Sequence, residues 1–327
     1  MEHRIFRFAF DAGVHIGDSS LEDSGIRLRA DTIFSALCIE ALKKGGQETL
    51  DRLITLTIAG ELSISDAFPF IGNELYVPKP VFSIQSADMP QNADILGQSP
   101  NGEADEVSDY SAKKIFKELK YIPIDMVQDF LYGEFDGKTA EYIASKMDGL
   151  GASSIVARTA VRLPEDALPY HVGVYTFKEG AGLYIIASAE AEALPFLREL
   201  LECVAVSGIG GKRSSGLGRF SITETAEDIP EELLGDYPAY MTLSVSLPGD
   251  AEIESALKDS TYVLLRRSGF VFSETYAHDA VRKNDLYVMD SGSVFRQRFT
   301  GGVYDVSNKG THPVYRYAKP MFLGVEL

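Results

Sequence analysis

The chain has 327 residues, is 45% hydrophobic and 24% charged, and sets 31 Lys and Arg against 48 Asp and Glu for a formal net charge of −17. That length supports two packed domains. The acidity excludes non-specific binding of nucleic acid or anionic membrane across the whole surface, leaving a local basic site or a surface for basic partners.

No run of about eighteen apolar residues occurs, so no membrane-spanning helix is expected. The N-terminal stretch MEHRIFRFAFDAG lacks the apolar core of a signal peptide. Only two cysteines, Cys38 and Cys203, are present, both in apolar helical patterns. Neither a disulfide framework nor a thiolate metal site is expected, and the chain reads as cytoplasmic.

Phe6, Phe8 and Phe10 alternate with Arg7 and Ala9 as in a first strand. After the turn-rich AGVHIGDSSLEDSG, the stretch DTIFSALCIEALKKGG reads as a helix. Asp31 is its expected N-cap, Phe34, Leu37, Cys38 and Ala41 form its buried face, and Gly45–Gly46 its end. Two short strands broken by prolines follow in ELSISDAFPFIGNELYVPKP. Residues 85–120 are polar and acidic and read as a mobile insertion, with short helices after them. RTAVRLPEDALPYHVGVYTFKEGAGLYIIAS reads as β structure and EAEALPFLRELLECVAV as a helix. Then come a glycine-rich loop and the strand RFSITE.

This order is βαββαβ with decorations, a ferredoxin-like α+β pattern. Beyond the linker EDIPEELLGDYP the pattern partly restarts, with strands in YMTLSVSL, TYVLLRRSGFVF and LYVMDSGSVF and a short helix in GDAEIESALKD. The expected domains are residues 1–225, with the insertion at about 85–150, and a degenerate α+β half over 237–327.

The loop from Gly208 to Phe220, GIGGKRSSGLGRF, holds five glycines, three cations, two serines and no acid. It is not a Walker A loop. Gly211–Lys212 would need glycine at Val206 and a hydroxyl at Arg213. A dinucleotide fingerprint from Gly208 would need a third glycine at Arg213. Both motifs also run strand to loop to helix, whereas this loop joins a helix to a strand. Two readings stay open on the residues alone. One is a glycine-rich turn with solvated cations. The other is a site for a bent single strand of nucleic acid, with N–H groups and Lys212, Arg213 and Arg219 on phosphates.

At this loop the sequence resembles the RAMP (repeat-associated mysterious protein) superfamily of CRISPR RNA-binding proteins. VHIGDSSLEDSG with ADTIFSALCIEAL, DAFPF and VPKP resembles the N-terminal half of the Csm-complex subunit that caps the 5′ end of the guide RNA. RRSGFVFS, RKNDLYVMDSGSVF and HPVYRYAKPMFLGVE resemble its C-terminal half. The resemblance spans nearly the whole chain in order and is weakest over residues 85–165.

It implies two ferredoxin-like (RRM-like) halves with a β-hairpin thumb near residues 155–177. It implies a non-catalytic subunit of a type III-A complex that grips the crRNA 5′ tag, docks the large polymerase-domain subunit and starts the filament of backbone RAMP subunits. Gly208, Gly210, Gly211, Lys212, Arg213, Ser214, Ser215, Gly216 and Gly218 carry over as the tag-binding element. Arg219 continues the loop's basic run. His15 carries over from a comparable His-x-Gly, and Arg158 and Arg162 fall near the expected thumb. No cofactor and no metal is implied.

An enzyme reading competes. His15 could act as the general base of a crRNA-processing endoribonuclease, with the loop's cations stabilising the phosphorane. A hydrogen bond from His15 to RNA or backbone is the simpler expectation. His278–Asp279 spells a metal-phosphohydrolase dipeptide, but only five histidines exist to complete a site. Asp18 and Asp23 are expected to be solvated carboxylates. Phe270 and Phe272 alternate with Val271 and are expected in the core ahead of a base-stacking role. Arg266 and Arg267 form a second candidate basic patch. A third reading is a protein-only scaffold whose acidic surface docks basic partners.

Overall fold

The computed structural model describes residues 1–17, 20–81, 118–134, 136–160, 168–225, 230–233, 235–273 and 275–327. In chain order the first elements are β1 (Glu2–Phe10), α1 (Ala30–Ala59), β2 (Leu62–Ile64), β3 (Phe68–Ile71), β4 (Glu74–Pro78), β5 (Tyr121–Pro123), α2 (Val127–Leu131) and α3 (Gly137–Met147). A long hairpin follows, β6 (Gly151–Ala160) and β7 (Leu168–Phe177), then β8 (Ala181–Ala189), α4 (Leu194–Ser207) and β9 (Phe220–Thr225). The last third holds β10 (Ala239–Thr242), α5 (Ile253–Leu257), β11 (Leu264–Arg267), β12 (Leu286–Met289), β13 (Val294–Phe295), β14 (Gly302–Asp305), β15 (Tyr315–Ala318) and β16 (Phe322–Val325).

The chain divides into two compact units. The first is Met1–Asn73, Leu150–Ile229 and Tyr315–Tyr317; the second is Glu74–Gly149, Pro230–Val314 and Ala318–Leu327. The expected mobile insertion lies mostly outside the described residues.

In the first unit the antiparallel strand order is β3, β8, β1, β9, with β2 also on β8. Strand β8 is the centre of this sheet. Its sequence AGLYIIASA is buried along its whole length, with β1 on one edge and β2 and β3 on the other. Leu197, Leu200, Leu201 and Val204 of α4 are buried, each contributing about 1.5–3 kcal/mol of transfer free energy. Pro195 sits in the first turn of α4, where no helical hydrogen bond is lost.

The first helix departs from expectation at both ends. Its N-cap is Arg29, with no side-chain cap, and Asp31 lies inside the first turn. The capping oxygen comes instead from Asp66, whose Oδ1 accepts the Ala30 N–H at 2.8 Å. At the other end Gly45 and Gly46 leave helical geometry but only kink the helix, which resumes and stops at Gly60 (φ 82°). The second run, QETLDRLITLTIA, buries Leu50, Leu53 and Ile54, and that burial outweighs the glycine break.

In the second unit β10 pairs with β13 on one side and β16 on the other. Ala256, Met289, Phe295 and Phe299 form a buried cluster there. Strands β4 and β5 pair antiparallel, and α3 starts after its N-cap Asp136, whose carboxylate accepts the Thr139 N–H at 2.8 Å. Cys38 and Cys203 are not joined in a disulfide. Among the described residues no helix is long and apolar enough to cross a membrane.

Candidate nucleic-acid interface

The first unit brings three sequence-distant segments together beyond the end of β1. The chain after β1 runs as an extended middle strand. On one side Val14 exchanges backbone hydrogen bonds with Tyr175 of the hairpin, at 2.8 and 2.9 Å. On the other, the Gly211 N–H donates to the His15 carbonyl at 2.8 Å and the Gly218 N–H to the Gly13 carbonyl at 3.1 Å. The segment around His15 therefore links the root of the β6–β7 hairpin to the glycine loop.

His15 is a linchpin of this junction rather than a free base. Its ring is buried at 8% exposure, and Nδ1 donates to the Gly173 carbonyl at 2.8 Å. Ser24 supports the same turn. Its hydroxyl donates to the Val14 carbonyl at 3.0 Å and accepts the Ile16 N–H at 3.2 Å.

The glycines are demanded by geometry. Gly208, Gly210, Gly216 and Gly218 all have positive φ. A Cβ on Gly211 would lie 2.5 Å from His15 Cδ2, and one on Gly210 2.5 Å from the His15 carbonyl oxygen. One on Gly218 would overlap the Ile209 carbonyl. The loop thus presses its backbone against its neighbours, and its two ends are tied by the Ile209 N–H to the Gly218 carbonyl at 2.9 Å.

Between those ties the tip Lys212–Gly216 stands out. Lys212 is one of three non-glycine residues with positive φ among the described residues (φ 58°), and a single 3-10 turn, Arg213–Ser215, follows it. This strained start aims the Lys212 ammonium over the Tyr170 ring, 4.6 Å from its centroid. Tyr170 lies opposite Arg158 in the hairpin register. Arg158 Nε is buried with no hydrogen-bond partner among the described residues. Ser214, Ser215 and Arg219 are exposed, and Arg213 is half-buried. The Lys212–Tyr170 cation–π pair thus sits where hairpin meets loop, with Arg158 across the hairpin from Tyr170.

Of the residues expected from sequence, His15, the loop from Gly208 to Arg219 and Arg158 fall in this region. Arg162 and Asp18 lie outside the described residues, as does the hairpin tip. Asp23 is exposed. His278 and Asp279 are an exposed adjacent pair 3.4 Å apart, and among the described residues no three His, Cys, Asp or Glu side chains gather as metal ligands. Phe270 and Phe272 correct the core expectation. They are 57% and 69% exposed, because Val271 between them already packs against Tyr276, Val306 and Val314.

Sequence reading missed Tyr170, Gly13 and Gly173. The two glycines sit where a side chain would collide with Val174 and with the Glu22 backbone. Tyr170 carries no motif and gains its place only through the hairpin register.

Residues 235–325 match the family model described as CRISPR Csm4 C-terminal domain. A Mycobacterium tuberculosis protein described as CRISPR system Cms protein Csm4 is 39% identical, over 99% of this chain and 98% of its own. The chain belongs to the Csm4 family. Two solved structures share the fold. The Csm3–Csm4 subcomplex of the type III-A CRISPR-Cas interference complex matches with a TM-score of 0.62, at 17% identity over 99% of each chain. The Csm1–Csm4 cassette in complex with AMPPNP matches with a TM-score of 0.58, at 20% identity over 99% of this chain and 98% of its own. The chain is thus a mixed α/β protein with antiparallel sheets, similar in fold to these structures.

Proposed function

We propose that this Csm4-family chain is the crRNA 5′-tag-binding subunit of a type III-A CRISPR interference complex and acts there without catalysis. The observation that carries the reading is the junction of hairpin root, His15 segment and glycine loop. It concentrates Lys212, Arg213, Arg158 and Arg219 in a chain of net charge −17. A single strand crossing it would find cations for phosphates, N–H groups and hydroxyls for finer contacts, and the Tyr170 face for a base.

The β6–β7 hairpin is read as the thumb. The antiparallel order β3, β8, β1, β9 supports reading the first unit as ferredoxin-like, and the second as its degenerate counterpart. Relatives solved with Csm1 and with Csm3 support two protein partners, the large polymerase-domain subunit and the adjacent backbone RAMP subunit. The non-catalytic assignment rests on His15, whose Nδ1 is engaged by Gly173 and whose ring is largely shielded from solvent.

Affinity purification of the tagged chain from its own cells, with sequencing of the bound RNA, tests this reading. The expected result is guide RNAs sharing one repeat-derived 5′ sequence, together with the other subunits. Recovery of the subunits with the chain, but guides of unchanged yield and 5′ end when Lys212 and Arg213 are replaced by Ala, would favour the protein-only scaffold.

A further inference from the structure

The second unit carries a separate cation–aromatic surface that the junction above does not use. β11 pairs antiparallel with β12, setting Arg266 opposite Tyr287. Further along the same hairpin Phe270 bridges to Arg282, and the Arg282 guanidinium lies 5.3 Å from the Phe270 ring centroid. Phe270, Phe272 and Tyr287 are all more than half exposed. The hairpin does not need these rings for its own core, since Val271, Val281 and Leu286 supply the face packed on Tyr276, Val306 and Val314.

Charge singles the hairpin out as well. From Leu264 to Met289 it holds four Lys and Arg (Arg266, Arg267, Arg282, Lys283) against three Asp and Glu (Glu274, Asp279, Asp285), net +1 in a chain of net −17. Arg266 pairs with Asp285, 4.0 Å away in an exposed pair, an interaction weak enough to yield to a phosphate. Gly269 (φ 131°) meets no atom within 4 Å of an added Cβ, so the backbone before Phe270 is open to close approach. Exposed rings flanked by guanidiniums on an open backbone are the recurring elements of a single-strand platform. The rings take the base faces and the cations the phosphates.

We propose that the exposed face of this hairpin, Phe270 and Phe272 with Arg266 and Arg282, is a second RNA-binding surface that stacks unpaired bases. It is distinct from the glycine-loop junction and does not depend on it.

The test uses the full chain and a short oligouridylate carrying one central 2-aminopurine, whose fluorescence is quenched when its base stacks. Phe270→Leu with Phe272→Leu keeps apolar bulk and removes both rings, and should lower the unfolding midpoint only slightly because both rings are more than half exposed. Affinity is expected to fall about tenfold, with loss of most of the quench at saturation. Lys212→Ala with Arg213→Ala should weaken binding but keep the quench. Unchanged affinity and quench in the Phe270/Phe272 variant overturns the proposal, and with a weakened loop variant leaves the loop reading intact. Unchanged RNA behaviour with loss of a co-expressed protein subunit also overturns it and makes the hairpin a protein-docking face. An affected hairpin variant beside an unaffected loop variant supports the hairpin and removes the loop.

Discussion

Gly211 has no side chain because His15 occupies the space. The Gly211 N–H donates to the His15 carbonyl at 2.8 Å, and a Cβ there would sit 2.5 Å from the imidazole. The loop is therefore a fitted part, pinned through one residue to the hairpin root that the same histidine holds at Gly173.

The glycines should separate into two classes. Gly216 (φ 84°) has nothing within 4 Å of an added Cβ, so Gly216→Ala should lose only about 1–2 kcal/mol, the strain of left-handed geometry. Gly218→Ala adds a collision with the Ile209 carbonyl and should lose clearly more. Chemical denaturation of both variants measures this, and equal losses would contradict the packing account.

His15→Ala leaves the buried Gly173 carbonyl without its donor and should lower stability by about 1–3 kcal/mol. Repeat RNA incubated with the wild-type chain should stay intact. Metal-independent cleavage that His15→Ala abolishes would establish the endoribonuclease instead.

Arg316 Nη1 donates to Asp31 Oδ2 at 2.8 Å, 285 positions apart in sequence and both nearly fully buried. Arg316→Leu takes the guanidinium from the buried Asp31 carboxylate and should cost about 3–5 kcal/mol. Adding Asp31→Leu should restore part of that, since the carboxylate that Arg316 served is then gone as well. A double variant as unstable as the sum of the single ones would show that the pair is not coupled.

Acid should weaken the second unit through two depressed carboxyls. Partial desolvation of its carboxyl alone would push Asp305 up, but N–H donors from Ser307 at 2.9 Å and Val314 at 3.1 Å hold it below its usual range. Glu252 is likewise raised by burial yet lowered overall by the Thr300 and Gly249 N–H groups. Because the folded values are depressed, this stabilisation is complete above the unfolded carboxylate pKa of about 4 and is lost as pH falls through the folded values. The effect is small, as Asp305 is exposed. Urea midpoints should fall less between pH 7 and pH 3 in Asp305→Asn with Glu252→Gln than in wild type; equal falls would refute it.

Local pattern made much of this legible. Alternation located β1, and helical spacing with Pro195 located α4. The helix-to-strand position of the glycine loop was enough to exclude the nucleotide-binding enzyme motifs. What stayed hidden was non-local. Asp31 looks like a cap because Asp residues cap helices, yet its partner Arg316 lies near the other end of the chain. Gly45–Gly46 look like a helix end because glycine breaks helices locally, while Leu50, Leu53 and Ile54 restore it through burial. Phe270 and Phe272 look like core by type, and only the packing of Val271 turns them outward. Tyr170 has no signal of its own, since its role comes from the register that puts it across from Arg158 and under Lys212.

Phosphates held at the loop tip must appear in the salt dependence of RNA binding. Affinity for a 5′-tag oligoribonucleotide should be measured across a salt series for the wild type and for Lys212→Ala with Arg213→Ala. The variant should bind more weakly, with a log–log slope reduced by about 0.7 for each phosphate that it no longer neutralises. An unchanged affinity and slope would contradict phosphate binding at the loop tip.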